Sequence, residues 1–327
     1  MSVTPPSGRP DFVAALAAGP LVLDGGMSNQ LAAAGHDLSD ALWSARLLAD
    51  DPGAVVAAHR AYFDAGADVA ITASYQASFE GFARQGLDRA EAARLLARSV
   101  ELARRAAREA GADRPLWVAA SVGPYGAVLA DGSEYRGRYG LSVAELEAFH
   151  RPRLEVLAAA GPDVLALETV PDADEARALL RAVRGLGVPA WLSYSVEGDR
   201  TRAGQPLAEA FALAARAPEV VAVGVNCCTP ADADRAVALA ARVTGKPVVV
   251  YPNSGEEWDA AARDWSGGST FGAVGGPVTG AAGGAAAGGP GRAGGWLRDG
   301  ARLVGGCCRV GPREIAALAA EVARARR

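Results

Sequence analysis

Short runs that are apolar at nearly every position recur along the chain, separated by longer stretches in which apolar and charged residues mix at helical spacing. The runs are LVLDGG (21–26), DVAITAS (68–74), LWVAASV (116–122), DVLALET (163–169), PAWLSYS (189–195), VVAVGVN (220–226), PVVVYPN (247–253) and ARLVGG (301–306). Runs that stay apolar instead of alternating fit parallel strands covered on both faces. The stretches between them, such as DPGAVVAAHRAYFDAG, DRAEAARLLARSVELARRAAREAG and DADEARALLRAVRGLG, open near Asp and close at Gly, which is helix-cap chemistry. Eight strands alternating with helices predict βαβ units closed into one α/β barrel of the (β/α)8 TIM type. A doubly wound open sheet is the alternative.

One stretch departs from this pattern. Residues 267–295 carry thirteen glycines in twenty-nine positions, and they predict a flexible excursion between strands seven and eight of a single domain spanning 1–327. The tract contains G-x-G-x-x-G as Gly289, Gly291 and Gly294. No strand precedes that match and no acid follows about 20 residues on, so chance accounts for it.

Composition narrows the function classes. Half of the 327 residues are apolar, enough to bury a sizeable core. A net charge of -4 offers no footprint for nucleic acid. No run approaches the roughly 18 to 20 apolar residues of a membrane span, and the first residues lack a signal core, so a cytoplasmic address is expected. In that reducing compartment clustered cysteines point to metal or catalysis before disulfides.

All four cysteines fall in two doublets, VGVNCC and GGCC, each ending an apolar run. The catalytic face of a barrel lies at the C-terminal ends of its strands. Those ends carry Asp24, Ser74, Tyr75, Gln76, Ser121, Glu168, Ser195, Asn226, Cys227, Cys228, Asn253, Cys307 and Cys308. If strands six and eight lie two apart around the ring, three thiolates can meet on one ion. Zinc suits such a set, and three protein ligands leave a fourth position open for chemistry. The competing reading makes Cys227 or Cys228 a small buried hydrophobe and Cys307-Cys308 incidental or a vicinal disulfide. Spacing alone does not separate Cys227 from Cys228.

Two other barrel chemistries fit poorly. Lys246, the single lysine, precedes strand seven and so lies on the face opposite the site, which argues against a Schiff-base aldolase. His36, His59 and His150 sit on helical stretches or loops, which argues against a histidine-ligated zinc hydrolase.

The local sequences resemble one family. GVNC, VVYPNSGE and GGCCRVGPREI are similar to the three C-terminal motifs of the homocysteine S-methyltransferases, zinc-dependent barrels that methylate a thiol. LDGGMSNQL, DVAITASYQAS, SVGPYGAVLADGSEYRGRY and ALETVPDADEA resemble the same family in order from about residue 20 to 320, most closely its S-methylmethionine-using branch. The resemblance implies Cys227, Cys307 and Cys308 as zinc ligands, with no role for Cys228. It also implies that Asp24, with Gly25 beside it, and Glu168 hold the homocysteine ammonium. Tyr75 and Trp43 would either offer aromatic faces to a cationic donor or simply pack in the core, and Asn226 and Asn253 would orient neighbouring groups. The expected reaction moves methyl from S-methylmethionine, or S-adenosylmethionine, to homocysteine, with these small molecules as the only partners. A betaine-type enzyme and a non-catalytic zinc-binding barrel are the alternatives. A cobalamin-dependent folate route would need further domains.

Overall fold

The computed structural model describes residues 10–38, 43–259, 264–272 and 291–326. Each of the eight apolar runs contains a strand, named here β1 (Leu21–Val22), β2 (Val69–Ile71), β3 (Trp117–Val122), β4 (Val164–Val170), β5 (Ala190–Tyr194), β6 (Val220–Asn226), β7 (Val248–Tyr251) and β8 (Ala301–Val304). Every pairing between neighbours is parallel, in the order β1-β8-β7-β6-β5-β4-β3-β2. A parallel bridge between Leu23 and Val69 brings the two ends of the sheet together, backed by Asp24 N–H to Val69 O at 3.0 Å. The result is a (β/α)8 barrel, and the open-sheet alternative falls away.

Strand alternation sorts the core into two compartments. Leu21, Leu23, Trp117, Ala119, Val164, Ala166, Trp191, Ala222, Val249, Tyr251 and Leu303 pack together inside the ring, while Val22, Val118, Leu165, Leu192, Val223 and Val250 pack outward against helices. The helix Phe12–Ala18, capped by Asp11, seats Phe12 and Leu16 against the inner cluster from its N-terminal end. One end of the ring is thereby plugged, which leaves the other for chemistry.

The outer helices follow their predicted caps. Pro52–Asp64 starts from Asp51, and Arg89–Ala110 runs from an Asp88 capping box to a left-handed Gly111. Ala173–Ala182 starts from Asp172 and stops short of Gly187. Several strands are shorter than their apolar runs because the chain turns to form the mouth. The clearest case is β1, which ends at Val22 although its run continues to Gly26. The glycine-rich tract does fall between β7 and β8, and residues 273–290 lie outside the described residues. Gly291 caps the helix Arg292–Arg298, so the downstream end of the tract is helical.

Candidate active site and metal centre

The mouth is built by continuing the inward alternation to the strand ends. Beyond Ala119, Ala166, Trp191, Ala222 and Val249, the next inward positions are Ser121, Glu168, Ser193, Gly224 with Asn226, and Tyr251. A polar layer therefore caps an apolar one. Its members bond to each other: Ser193 Oγ donates to Asn226 Oδ1 at 2.8 Å and lies 2.9 Å from the Tyr251 hydroxyl. The Tyr251 hydroxyl donates to Glu168 Oε2 at 3.0 Å, and Ser121 Oγ donates to Glu168 Oε1.

Glu168 is nearly buried, and burial pushes its carboxyl up to about 7, against the two hydroxyl hydrogen bonds that pull it down. Asp24, also buried, follows β1. Its Oδ2 accepts the Ile71 N–H at 2.8 Å, whereas its Oδ1 has no partner. Burial pushes the Asp24 carboxyl well above its usual range, and the charge of Glu168 adds to this. Two buried carboxyls thus share the mouth, one of them with a bare oxygen, and each raises the cost of ionising the other. Gly25 is required by packing: a Cβ there would lie 2.2 Å from Val310 O and 2.9 Å from the Tyr62 ring.

The cysteines are brought in by β7, which lies between β6 and β8 in the ring. Cys227 N–H bonds to Tyr251 O at 3.3 Å and Cys307 N–H to Pro252 O at 2.8 Å, so both doublets are fastened to one strand end. Asn253 completes the fastening, its Oδ1 accepting the Cys308 N–H at 3.1 Å and its own N–H bonding to Cys228 O at 2.9 Å. Cys227 Sγ lies 3.1 Å from Cys307 Sγ and 3.7 Å from Cys308 Sγ. All three sulfurs fall within 4.8 Å of one another. Tetrahedral zinc–thiolate bonds of about 2.3 Å would set sulfurs roughly 3.8 Å apart, so the trio fits such an ion with little movement. Hydrogen bonds from Cys227 and Cys307 hold the Cys308 thiol well below its usual range, while Cys307 is pushed up by Cys227 and Cys308.

Backbone geometry separates Cys227 from Cys228. Plain alternation after inward Asn226 would turn Cys227 outward and Cys228 inward. Cys227 instead adopts φ 50°, a left-handed turn that reverses the order. Its sulfur joins the cluster at the mouth, and Cys228 packs into the outer core. All four cysteines are free thiols.

A family model described as homocysteine S-methyltransferase matches residues 21–322. The chain belongs to the homocysteine S-methyltransferase family. Homocysteine S-methyltransferase 4 of Zea mays is 45% identical over 323 residues, covering 94% of this chain and 91% of its own. Homocysteine S-methyltransferase of Escherichia coli (strain K12) is 44% identical over 306 residues, covering 92% and 94%. A crystal structure of the E. coli homocysteine methyltransferase MmuM in its metallated form superposes with a TM-score of 0.77 at 42% identity, over 92% of this chain and 96% of that one. The activity of this homocysteine S-methyltransferase is methyl transfer to homocysteine.

The enzyme's other expected residues divide between the mouth and elsewhere. Tyr75 is half-buried at the mouth, its ring packed on Gly123, and burial and then the Cys227 charge push its phenol up. Asn226 is wholly buried beneath the mouth and bonds to Thr169 and Ser193. Trp43 opens the helix Trp43–Asp50, and its side chain lies outside those described. Lys246 Nζ donates to the carbonyls of Ala217 and Val220, before β6 and at its start, far from the chemistry. Among the described residues no histidine joins the cysteine cluster: His59 is buried in a helix and His150 bonds to Glu175 and Arg153.

Four residues of the site carried no assigned role in the sequence. Ser193 and Tyr251 were reachable by extending strand alternation one step. Tyr135, whose hydroxyl lies 3.4 Å from Cys227 Sγ, falls inside the family-like stretch 121–139 but carries no assigned role there, whereas Arg202, whose guanidinium sits 5.7 Å from the Tyr135 ring centre, has no local signal.

Proposed function

We propose that the enzyme transfers methyl from a sulfonium donor, S-methylmethionine or S-adenosylmethionine, to homocysteine, giving methionine, with zinc held by Cys227, Cys307 and Cys308. The observation that carries this reading is the convergence of those three sulfurs within 4.8 Å at the barrel mouth. When bound there, zinc would keep the homocysteine sulfur, a thiol of pKa about 8.5 when free, in its anionic form and electron-rich among three thiolates. Histidine or carboxylate ligands would suit activation of water instead.

The chain's own residues then orient the substrate. Asp24 Oδ1 and the Glu168 carboxylate receive the homocysteine ammonium, and the cation favours the ionised form of both acids. Tyr251 and Ser121 hold the Glu168 carboxylate in place by donating to its two oxygens. A sulfonium loses its methyl as a neutral thioether, so the residues need supply no proton to the leaving group. Catalysis reduces to holding sulfur, methyl carbon and leaving sulfur in line.

The test combines metal content with donor use. Reduced, purified protein should bind one zinc and convert homocysteine plus S-methylmethionine to methionine. Turnover that persists after complete removal of metal, or zinc-loaded protein that accepts no sulfonium, would overturn the reading.

A further inference from the structure

Three side chains on the rim beside the thiols have no part in the chemistry above. Glu134 and Tyr135 sit together in a short 3-10 turn, Ser133–Tyr135, on the connection after β3. The turn is braced by Gly126, where a Cβ would lie 2.5 Å from Glu134 N and 2.8 Å from the Tyr139 hydroxyl. Tyr135 reaches over the cluster with its hydroxyl 3.4 Å from Cys227 Sγ, yet remains 40% exposed. Arg202 comes from the hairpin Val196–Glu197 and Arg200–Thr201 after β5, and lays its guanidinium over the Tyr135 ring. Its other side-chain contacts are loose, Ser195 Oγ at 3.4 Å and the well-exposed Glu197 at 3.6 Å.

Glu134 supplies the second observation. Its Oε2 is buried and has no hydrogen-bond partner. Burial raises its carboxyl, and the group adjoins Tyr135 in the turn that reaches Cys227. A buried carboxylate oxygen without a donor calls for a cationic ligand. The rim thus offers an unmet anion, an exposed aromatic face and a loosely held guanidinium, all grouped around Tyr135.

We infer that Glu134, Tyr135 and Arg202 form the subsite for the amino-acid end of the methyl donor. Glu134 receives the donor's α-ammonium, Arg202 its α-carboxylate, and the Tyr135 ring lies against the sulfonium. This rests on the sulfonium-donor reading above. Homocysteine is held from inside the mouth by Asp24 and Glu168, so the donor meets its sulfur from the rim. In an α-amino-acid sulfonium the α-carbon lies two methylenes from the sulfur, which keeps both charged groups beside the thiols. Such a subsite disfavours betaine, whose quaternary ammonium has no N–H to give Glu134.

The experiment measures kcat and KM for S-methylmethionine, S-adenosylmethionine and trimethylsulfonium, with zinc content and homocysteine KM, in wild type, Glu134→Gln, Arg202→Met and Arg202→Lys. Wild type should use an amino-acid sulfonium far better than trimethylsulfonium. Glu134→Gln and Arg202→Met should each raise KM roughly tenfold for whichever amino-acid sulfonium wild type accepts. Zinc content, homocysteine KM and the residual rate with trimethylsulfonium should stay unchanged, and Arg202→Lys should recover part of the loss. Equal losses on all donors, a raised homocysteine KM, or a wild type that takes trimethylsulfonium equally well would overturn the subsite. If wild type uses S-methylmethionine and the variants match it, the subsite alone falls. If wild type accepts no sulfonium, the donor reading falls and takes the subsite with it.

Discussion

Asn226 holds Thr169 in a left-handed conformation: its Oδ1 accepts the Thr169 N–H at 2.7 Å and its Nδ2 donates to Thr169 Oγ1 at 2.7 Å. Thr169 has φ 57°, a costly value for a β-branched residue, and it follows Glu168 directly. Asn226 in turn precedes Cys227, itself at φ 50°. One buried amide thus fixes both the turn beside Glu168 and the strand that delivers a thiol.

Replacing that amide should disturb substrate binding as well as stability. Asn226→Ala leaves the Thr169 N–H and the Ser193 hydroxyl without their partner and removes the restraint on a strained turn. We expect a loss of about 3 kcal/mol in denaturant unfolding and a roughly tenfold rise in homocysteine KM. An unchanged KM in a folded variant would show that Glu168 is positioned without Asn226.

The two neighbouring cysteines should behave oppositely. Cys307→Ser should lose metal and activity together, because it removes a sulfur from the cluster. Cys228→Ser should keep one metal per chain and most activity, while placing a hydroxyl in the outer core should cost about 1–3 kcal/mol of stability. Metal analysis of both variants, with thermal unfolding, decides the point.

Homocysteine binding should carry the titration of Glu168. The carboxylate attracts the substrate ammonium only when ionised, and burial has raised it to about 7. In the free enzyme kcat/KM for homocysteine should therefore fall as pH drops through about 7. Glu168→Gln should raise homocysteine KM, leave metal content intact and lose that limb of the profile. A Gln variant that keeps the same acid limb would assign it to another group.

His59 should weaken the fold in acid. Both ring nitrogens are buried without partners, and burial lowers the imidazole to about 3. The unfolded chain, with His near 6.5, binds a proton that the folded chain refuses, so the stability contribution is whole above about 6.5 and declines as pH falls toward about 3. Glu168 and Glu175, both raised to about 7, act in the opposite sense, losing their contribution as pH rises from their unfolded values through about 7. A variant comparison isolates the histidine. His59→Leu should match or exceed wild type at pH 7.5 and gain about 1.4 kcal/mol relative to it for each pH unit below about 6.5. Parallel pH curves for the two proteins would refute this.

The eight strands and the residues at their ends were legible in the amino-acid pattern, because a parallel strand covered on both faces must be apolar along its length, whereas their closed order came from the structure. Local cap chemistry likewise revealed the helices, and the two cysteine doublets showed themselves as ends of strands six and eight. Spacing left open which cysteine of the first pair faces the mouth; the family resemblance implied Cys227, and the tertiary structure supplies the physical reason. That choice rests on a left-handed φ at Cys227, paired with the one at Thr169 through Asn226 across the intervening β5, and no local periodicity encodes it. Tertiary packing also decided that Arg202, distant in the chain, lies over the ring of Tyr135, whose hydroxyl reaches Cys227. Loop residues answer to neighbours supplied by the rest of the barrel, whereas strand residues answer mainly to burial, which the chain itself declares.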